Sequence, residues 1–222
     1  GGSNLAISKS RTEPMNEITQ RIYDNVDLLP EDTQGWNGDK PIFAELITEL
    51  RPAHIIEIGT WKGQSALTMA RVLRDTNIPG RITCVDTWLG ALEFWHDPKD
   101  SPDRNLLLKN GYPQIYYQFL SNVVREGLQN YILPFPNTSF IASKYFKTNK
   151  ITAQLIYVDG SHETEDVMAD CRCYWDILQP GGIIFGDDWF LDSVRTAAED
   201  FARMKKLPIR VVEGVHWVIK KP

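Results

Sequence analysis

Apolar residues follow two alternating patterns along the chain, and together these patterns predict an α/β fold. Five short runs are rich in apolar and β-branched residues, as is typical of strands buried on both faces: residues 54–58, 81–85, 131–135, 155–158 and 182–185. Between most of them, apolar residues recur every three or four positions, which predicts helices: residues 40–50, 63–74, 139–146, 163–178 and 193–205. This alternation favours a doubly wound, mostly parallel sheet with helices on both faces.

The last part of the chain predicts a departure from a purely parallel sheet. Residues 209–212 and 215–219 are two further apolar runs, and Glu213-Gly214 between them is a signal for a tight hairpin. Strands joined by a hairpin run antiparallel. We therefore expect seven strands, with an antiparallel strand at the C-terminal end.

The chain has 222 residues, which is typical of one domain. Residues 1–13 are largely polar and begin with Gly-Gly-Ser, so we expect a tag remnant and a flexible N-terminus. We interpret 14–222 as a single domain. Within it we expect an N-terminal helical cap over 14–50, starting with a helix at 14–28, and an aromatic-rich lid or insert over 87–128. A homo-oligomer formed through the N-terminal helices is left open.

Composition and charge narrow the classes of partner. Hydrophobic residues make up 42% of the chain and charged residues 24%, which is usual for a soluble globular protein. The formal net charge is -5, whereas nucleic acids and anionic membranes attract basic surfaces. No apolar run reaches the roughly 20 residues that span a bilayer, and no secretory leader is visible. We expect neither a nucleic acid nor a membrane as partner.

The chain has three cysteines, Cys84, Cys171 and Cys173. An odd number in a chain of this length does not indicate a disulfide framework. Cys171 and Cys173 are too close together for a zinc-binding pair, and no second pair completes four ligands. We expect three structural thiols in a reducing compartment, which favours the cytoplasm.

Acidic residues follow or end four of the predicted strands. Glu57 lies in the first strand, Asp86 follows the second, Asp159 follows the fourth, and Asp187-Asp188 follow the fifth. Ligands of open α/β sheets bind beyond the carboxyl ends of the strands. We therefore expect these carboxylates to surround one site.

The loop after the first strand has the pattern E-x-G-x-x-x-G-x-S, from Glu57 to Ser65. Its glycines, Gly59 and Gly63, allow a sharp turn and a close approach of a ligand to the backbone before a helix N-terminus. The spacing differs from G-x-G-x-x-G, and an acid beside the loop suits an ammonium or sulfonium ligand better than a pyrophosphate. Asp86, 29 residues after Glu57, is placed to accept hydrogen bonds from a ribose diol. The alternative is a strand–helix turn whose glycines serve packing.

This ordered set, over roughly residues 40–220, resembles the class I S-adenosylmethionine (SAM)-dependent methyltransferases. Within them it resembles the metal-dependent O-methyltransferases of the catechol, caffeoyl-CoA and antibiotic-sugar (macrocin and novobiocin) types. The segments D-G-S-H and Q-P-G-G-I-I-F-G-D-D-W resemble the branch known as methyltransferase family 24 or cephalosporin-hydroxylase-like. The resemblance implies a Rossmann-like sheet and SAM as cofactor. It implies these cofactor contacts: Glu57, Gly59, Trp61, Gly63, Ser65, Asp86, Thr87, Trp88, Ser139 and Asp159, with Trp61 near the methionine end and Ser139 near the adenine.

Asp159, Asp187 and Asp188 are the candidate metal ligands. Several uncompensated carboxylates at close range are unfavourable, and a hard divalent cation with oxygen ligands, Mg²⁺ above all, resolves the repulsion. The resemblance assigns the same role to the acid after the fourth strand and the pair after the fifth. The alternative is that the Asp187-Asp188 pair caps the following helix.

His162 is the candidate general base, and Asp159 is the alternative. A hydroxyl is too weakly acidic to attack SAM unaided, but a divalent cation lowers its pKa, and a histidine can then accept the proton. His162 lies three residues after Asp159, where the catechol-type enzymes carry a lysine, so the proton acceptor stays open. His162 could equally be a helix-start residue or a positioning donor. Among the aromatic residues of the insert, we expect Trp88 and Trp95 to face the site.

These residues predict a SAM-dependent, divalent-metal-assisted O-methyltransferase that acts on a hydroxyl of a small molecule, a sugar or a vicinal diol. Three alternatives compete with it. A metal-dependent hydrolase would use Asp159, Asp187, Asp188 and His162 but leaves the glycine loop unexplained. A NAD-linked oxidoreductase lacks its G-x-G-x-x-G motif, and a non-catalytic SAM-binding relative would not need the full set of acids.

Overall fold

A seven-stranded sheet forms the centre of the molecule. The structure, a computed structural model, describes residues 21–96 and 104–222. The strands are β1 (His54–Ile58), β2 (Arg81–Asp86), β3 (Ile132–Pro136), β4 (Ala153–Val158), β5 (Leu178–Gly186), β6 (Arg210–Val212) and β7 (His216–Lys220). Their order across the sheet is β3-β2-β1-β4-β5-β7-β6. The first five strands pair in parallel, and the order reverses between β1 and β4, where such sheets bind ligands.

The hairpin at the C-terminal end adds the antiparallel strand. β7 pairs antiparallel with β5 on one side and with β6 on the other. Glu213 and Gly214 both have positive φ, 54° and 68°, which reverses the chain within a short turn. The predicted doubly wound sheet with an antiparallel C-terminal strand is confirmed.

Helices cover both faces of the sheet. In the described ranges they are α1 (Ile42–Leu50), α2 (Gln64–Asp75), α3 (Leu92–His96), α4 (Ile115–Arg125), α5 (Ser139–Thr148), α6 (Thr164–Trp175) and α7 (Asp192–Lys205). Ile55 of β1 belongs to the core under α1, α2 and α4, whereas its neighbour Ile56 belongs to the core under α5, α6 and α7. Successive strand residues point to opposite faces, so a sheet covered on both sides needs the continuous apolar runs seen in the sequence.

The region 87–128 is more regular than the sequence suggested. It contains α3 and the eleven-residue helix α4. Ile115, Phe119 and Val123 of α4 are fully buried at a spacing of four residues, so one face of this helix is part of the core. The many prolines and aromatic residues of the region made this helical spacing of apolar residues hard to recognise in the sequence.

Other boundaries also differ from the prediction. β5 begins at Leu178, four residues before the predicted start, and α6 ends at Trp175. The predicted helix at 14–28 lies partly outside the described residues, and its described part begins with a turn at 21–25. Residues 1–13 also lie outside them.

Two expectations about the chain as a whole can be compared with the structure. Among the described helices, none combines the length and the apolar character that crossing a bilayer requires. The three cysteines are free, with Cys84 and Cys171 buried. Their role as structural thiols agrees with this burial, and the compartment stays a prediction.

Candidate active site

A cavity of about 880 Å³ opens at the carboxyl ends of the parallel strands. It gathers most of the residues that the sequence singled out: Gly59, Trp61, Ser65, Asp86, Thr87, Ser139, Asp159, His162, Asp187 and Asp188. Three others, Glu57, Gly63 and Trp88, lie behind its wall. The fold therefore brings the ends of β1, β2, β4 and β5 to one cavity, where Asp86, Asp159 and the Asp187-Asp188 pair lie on the wall and Glu57 does not.

The loop after β1 depends on its two glycines. Gly59 has φ 81°, and a Cβ there would lie 2.0 Å from the carbonyl oxygen of Asp159. Gly63 has φ 93°, and a Cβ there would lie 2.8 Å from the ring of Phe119. The glycines thus let the loop pass close to β4 on one side and α4 on the other.

Glu57 supports this loop from below. Its side chain is fully buried and accepts hydrogen bonds from the hydroxyl of Thr60, at 2.8 Å, and from the hydroxyl of Ser65. Burial raises the pKa of Glu57 to about 7, although these hydrogen bonds lower it in part. Its place behind the wall gives Glu57 a supporting role, and a direct contact with the cofactor stays a prediction.

Asp86 joins the loops that follow β1 and β2. Its Oδ2 accepts the backbone N–H groups of Thr60 and Trp61, at 2.8 and 2.9 Å, and its Oδ1 accepts that of Trp88, at 2.7 Å. Trp61 and Trp88 both have φ 53°, a left-handed conformation that is unusual for residues with a side chain. The carboxylate therefore holds the walls of the cavity and also lies on its surface.

The aromatic wall differs from the prediction. Trp88 is buried, donates its indole N–H to the carbonyl of Trp61 at 2.9 Å and packs against Phe119. Trp95 is half exposed and bonds to the carbonyl of Leu89. Neither ring lines the cavity, contrary to our expectation, because the chain turns Trp88 into the core beside α4. Among the described residues, the aromatic rings in the wall are instead Trp36, Trp61, Phe94, Phe140 and Phe190.

Asp159, Asp187 and Asp188 form a compact cluster. Carboxylate oxygens of the three residues all lie within 4.8 Å of one another. Burial and the charges of Asp187 and Asp188 raise the pKa of Asp159 well above its usual range. Burial and the charge of Asp188 raise the pKa of Asp187 to about 6. Three carboxylates held this closely repel each other, and a divalent cation bound by oxygen ligands would relieve that repulsion.

Neutral side chains surround the cluster. The Tyr157 hydroxyl donates to Asp159 at 3.1 Å, and the Asn37 amide donates to both oxygens of Asp187, at 3.1 and 3.3 Å. His216 is 1% exposed, with its Nε2 3.7 Å from Asp187, and its ring nitrogens have no hydrogen-bond partner among the described residues. Burial lowers the pKa of His216 to about 4, so the ring is neutral at pH 7.

His162 lies at the rim of the cluster, as predicted. Its Nε2 is 2.9 Å from a carboxylate oxygen of Asp188, and its Nδ1 is 3.2 Å from one of Glu93. The hydrogen bond to Asp188 raises its pKa above the ordinary value, and burial partly opposes this. The ring thus connects the acid cluster to α3.

A segment before α1, which we call the strap (residues 29–38), was missed as part of the site. The side chain of Lys62 forms an ion pair with Asp32 at 2.6 Å, and the indole N–H of Trp61 donates to Gln34 at 3.1 Å. Gly35, Trp36, Asn37 and Gly38 line the cavity. The sequence signal was weak, since turn-forming residues such as Gly35, Asn37 and Gly38 occur in any loop. Their contacts are with residues far along the chain.

At the other end of the cavity, the loop before α5 meets α6. Ser139 lies beside Asp170, whose carboxyl accepts a hydrogen bond from the Ser139 side chain. Asp170 is 7% exposed, and burial raises its pKa to about 6. Asp166 and Cys173 on the same face of α6 also line the cavity. This end is formed by two helices and the end of β3.

Comparison with known families identifies the class of protein. The profile described as "Methyltransferase domain" matches residues 56–189, which include most of β1, all of β2 to β5 and every carboxyl side chain among the described residues that line the cavity. The chain belongs to this methyltransferase family. With the sheet described above, it is a class I SAM-dependent methyltransferase. The hydrolase and the NAD-linked oxidoreductase are therefore set aside.

Solved structures of methyltransferases share the fold. An O-methyltransferase from Bacillus cereus, in complex with S-adenosylhomocysteine (SAH), aligns with TM-score 0.61 and 15% identity over 98% of this chain and 94% of that one. A tomaymycin-synthesis O-methyltransferase from Streptomyces achromogenes, in complex with SAM, aligns with TM-score 0.58 and 14% identity over 98% and 93%. An SAH-bound methyltransferase from Podospora anserina aligns with TM-score 0.58 and 14% identity over the whole of both chains. No curated protein sequence matches this methyltransferase.

Proposed function

We propose that this methyltransferase transfers the methyl group of SAM to a hydroxyl of a small molecule, a sugar or a vicinal diol, with the help of a divalent cation. The observation that carries the proposal is the cluster of three carboxylates within 4.8 Å of one another, in the wall of the same cavity as the glycine loop. A cation bound by oxygen ligands would give this second acidic group a function beyond the binding of SAM. The solved structures named as O-methyltransferases support oxygen as the methylated atom.

The size and charge of the cavity support the cofactor. A volume of about 880 Å³ is within the usual range of ligand pockets and leaves room for SAM and a small acceptor. We expect the Gly59 loop and Trp61 at the methionine end, Asp86 and Thr87 at the ribose, and Ser139 at the adenine. SAM carries a sulfonium and an ammonium group, and the acidic wall favours both charges.

Asp159, Asp187 and Asp188 would hold the cation. Their oxygen-only donor set suits Mg²⁺, and burial together with the neighbouring charge of Asp188 raises the pKa of the Asp187 carboxyl. When bound, a divalent cation makes a coordinated hydroxyl a stronger acid. Tyr157 and Asn37 keep the carboxylates Asp159 and Asp187 in place by donating to them.

We propose His162 as the residue that accepts the proton of the hydroxyl. Its ring lines the cavity and is 45% exposed, within hydrogen-bonding distance of Asp188. An imidazole in that position can take up a proton while the carboxylates of Glu93 and Asp188 stabilise the resulting charge. Asp159 is the alternative acceptor, since its carboxylate lies in the same cluster.

Binding and turnover experiments test the proposal together. Calorimetry should detect SAH binding, and transfer from radiolabelled SAM to a panel of glycosides and catechols should require Mg²⁺. Asp187→Ala should abolish Mg²⁺-dependent turnover, because the remaining carboxylates are too few to hold the cation. The control is Asp200→Ala, which removes a half-exposed carboxylate of α7 that pairs with Arg203 and is not among the residues that line the cavity.

Each result bears on one part of the proposal. Full turnover in excess chelator would show that the reaction needs no divalent cation. Methylation of a nitrogen atom would show that the acceptor atom is not oxygen. SAH binding without turnover on any acceptor would favour a non-catalytic relative. A cytoplasmic location, a single domain over residues 14–222 and a homo-oligomer remain proposals of the same kind, which fractionation and sedimentation would test.

A further inference from the structure

The wall of the cavity is strongly acidic. Seven carboxyl side chains of the described residues line it, from Asp86, Glu93, Asp159, Asp166, Asp170, Asp187 and Asp188. The basic side chains among the described lining residues are His162 and Arg104. His162 already contacts two carboxylates, those of Glu93 and Asp188. Arg104 is therefore the cationic group of this wall whose role is not yet explained.

Arg104 has no carboxylate partner among the described residues. Its guanidinium lies 5.6 Å from the ring centroid of Phe94, in a cation–π contact, and the residue is half-buried. A half-buried guanidinium has five N–H donors and loses hydration, so it is stabilised by an anion that binds them. In a cavity rich in acids, a guanidinium held over a ring instead of a carboxylate is available to a ligand.

A series of neighbouring residues connects Arg104 with the acid cluster. Phe94, under the guanidinium, is the neighbour of Glu93, which contacts His162, and His162 contacts Asp188. Phe94 also packs edge-on against Trp61, with ring centroids 4.8 Å apart, and lies 6.0 Å from Trp36. Arg104 and this aromatic group thus line the same cavity as the acid cluster, beside Glu93 and His162.

We infer that the acceptor carries an anionic oxygen group, a carboxylate or a phosphate, and that Arg104 binds it while the hydroxyl faces the acid cluster. The inference rests on the proposed function and narrows its substrate class. Arg104 fits both anions because its planar donors match two oxygens at once. The positive charge of Arg104 also offsets the effect of the acidic wall, which would otherwise repel such a substrate.

Matched pairs of acceptors test this inference by calorimetry on the protein saturated with SAH and Mg²⁺. The first pair is 3,4-dihydroxybenzoate and its neutral amide, which share a catechol and a ring. The second set is methyl glucoside, methyl glucuronide and methyl glucoside 6-phosphate, which separates a carboxylate from a phosphate on a sugar. On at least one scaffold, an anionic member should bind about tenfold to a hundredfold more tightly than the neutral one.

Arg104→Gln should bring the ratio of the affinities for the anionic and the neutral acceptor close to one. Arg104→Lys should keep part of the preference, because an ammonium group preserves the charge without the paired geometry. Arg172→Gln, which changes an exposed arginine of α6, should leave the ratio unchanged. SAH affinity should be the same in all four proteins, because Arg104 is assigned to the acceptor.

Three results would overturn the inference. One is a wild-type protein that binds SAH yet prefers no anionic member on either scaffold. Another is an Arg104→Gln protein that keeps the preference. The third is a large loss of SAH affinity in Arg104→Gln, which would assign the guanidinium to the carboxylate of the cofactor. Absence of SAH binding in the wild-type protein would instead be a failure of the proposed function itself.

Discussion

At the scale of single residues, buried carboxyl groups dominate the chemistry of this methyltransferase. Glu57, Asp159, Asp170 and Asp187 all have a pKa raised by burial. A carboxyl whose pKa is higher in the folded than in the unfolded chain stabilises the fold while it is protonated, and this contribution disappears as the pH rises. The contribution of these four carboxyls to stability should therefore fall between acidic and neutral pH.

Glu57 offers the clearest test of this pH dependence. Its pKa rises from an ordinary 4.5 to about 7, so its stabilising contribution is complete below pH 4.5 and lost as the pH passes 7. Each pKa unit corresponds to about 1.4 kcal/mol, so the free energy of unfolding should change by about 3 kcal/mol or less. Glu57→Gln mimics the protonated form. The difference in free energy of unfolding between this variant and the wild type should therefore favour the variant more at pH 8 than at pH 5. Urea unfolding at both pH values measures the difference.

The control for Glu57 is Glu199→Gln, because Glu199 is an exposed carboxylate of α7. This variant should follow the wild-type pH dependence. A Glu57→Gln protein whose stability falls with pH as steeply as the wild type would contradict the assignment.

Gly59 tests the close approach of the first loop to β4. Gly59→Ala adds a Cβ 2.0 Å from a backbone oxygen, in addition to an unfavourable φ. Gly181→Ala has a similar φ of 79° but open space around the added atom. Gly181→Ala should cost about 1 kcal/mol for the conformation, and Gly59→Ala about 1–3 kcal/mol more, because the loop must move. Chemical denaturation measures both, and equal losses would show that the approach is unimportant.

At the scale of elements, the strap connects the glycine loop after β1 to the acid cluster. The side chain of Asn122 in α4 donates to the carbonyls of Asp32 and Lys62, at 2.7 and 2.9 Å. The strap then reaches Asp187 through Asn37. One segment thus contacts the glycine loop after β1, the helix behind that loop and a predicted metal ligand, so it can orient all three.

Asn37→Ala should weaken cation binding more than cofactor binding. Asn37 donates to both oxygens of Asp187, and loss of such an outer contact typically lowers metal affinity about tenfold or more. Calorimetric titration with Mn²⁺, followed by SAH, compares the two affinities. Asn149→Ala, at the end of α5, is the control, because Asn149 contacts only its own helix among the described residues. An unchanged Mn²⁺ affinity in Asn37→Ala would show that Asn37 does not orient Asp187.

At the scale of the whole molecule, the order of the strands creates the site. β1 and β4 are neighbours in the sheet, but the chain continues from β1 to β2 on one side and from β4 to β5 on the other. The connections that follow the two strands therefore diverge and open a cavity between them. β2 and β5, on either side, add Asp86 and the Asp187-Asp188 pair. The two halves of the cavity therefore hold different chemistry, a glycine loop with Asp86 in one and the acid cluster in the other.

The sequence alone determined the strands, most of the helices and the acids at the strand ends, but it did not reveal α3 and α4. Apolar runs such as Ile55-Ile56 require burial on both faces, and this requirement makes a parallel sheet with helices on both sides predictable. Because the carboxyl ends of parallel strands share one edge, the meeting of Asp86, Asp159 and Asp187 also followed from their positions in the chain.

The tertiary structure decided which side chains face the cavity. Trp88 follows a strand end, as Asp86 does, yet its ring turns into the core beside α4, whereas Trp36 reaches the cavity from the strap. Asn37 and Arg104 belong to connecting segments without a periodic pattern, so no local signal distinguishes them from ordinary loop residues. Their positions depend on packing against residues distant in the chain, and such contacts exist only once the fold has formed.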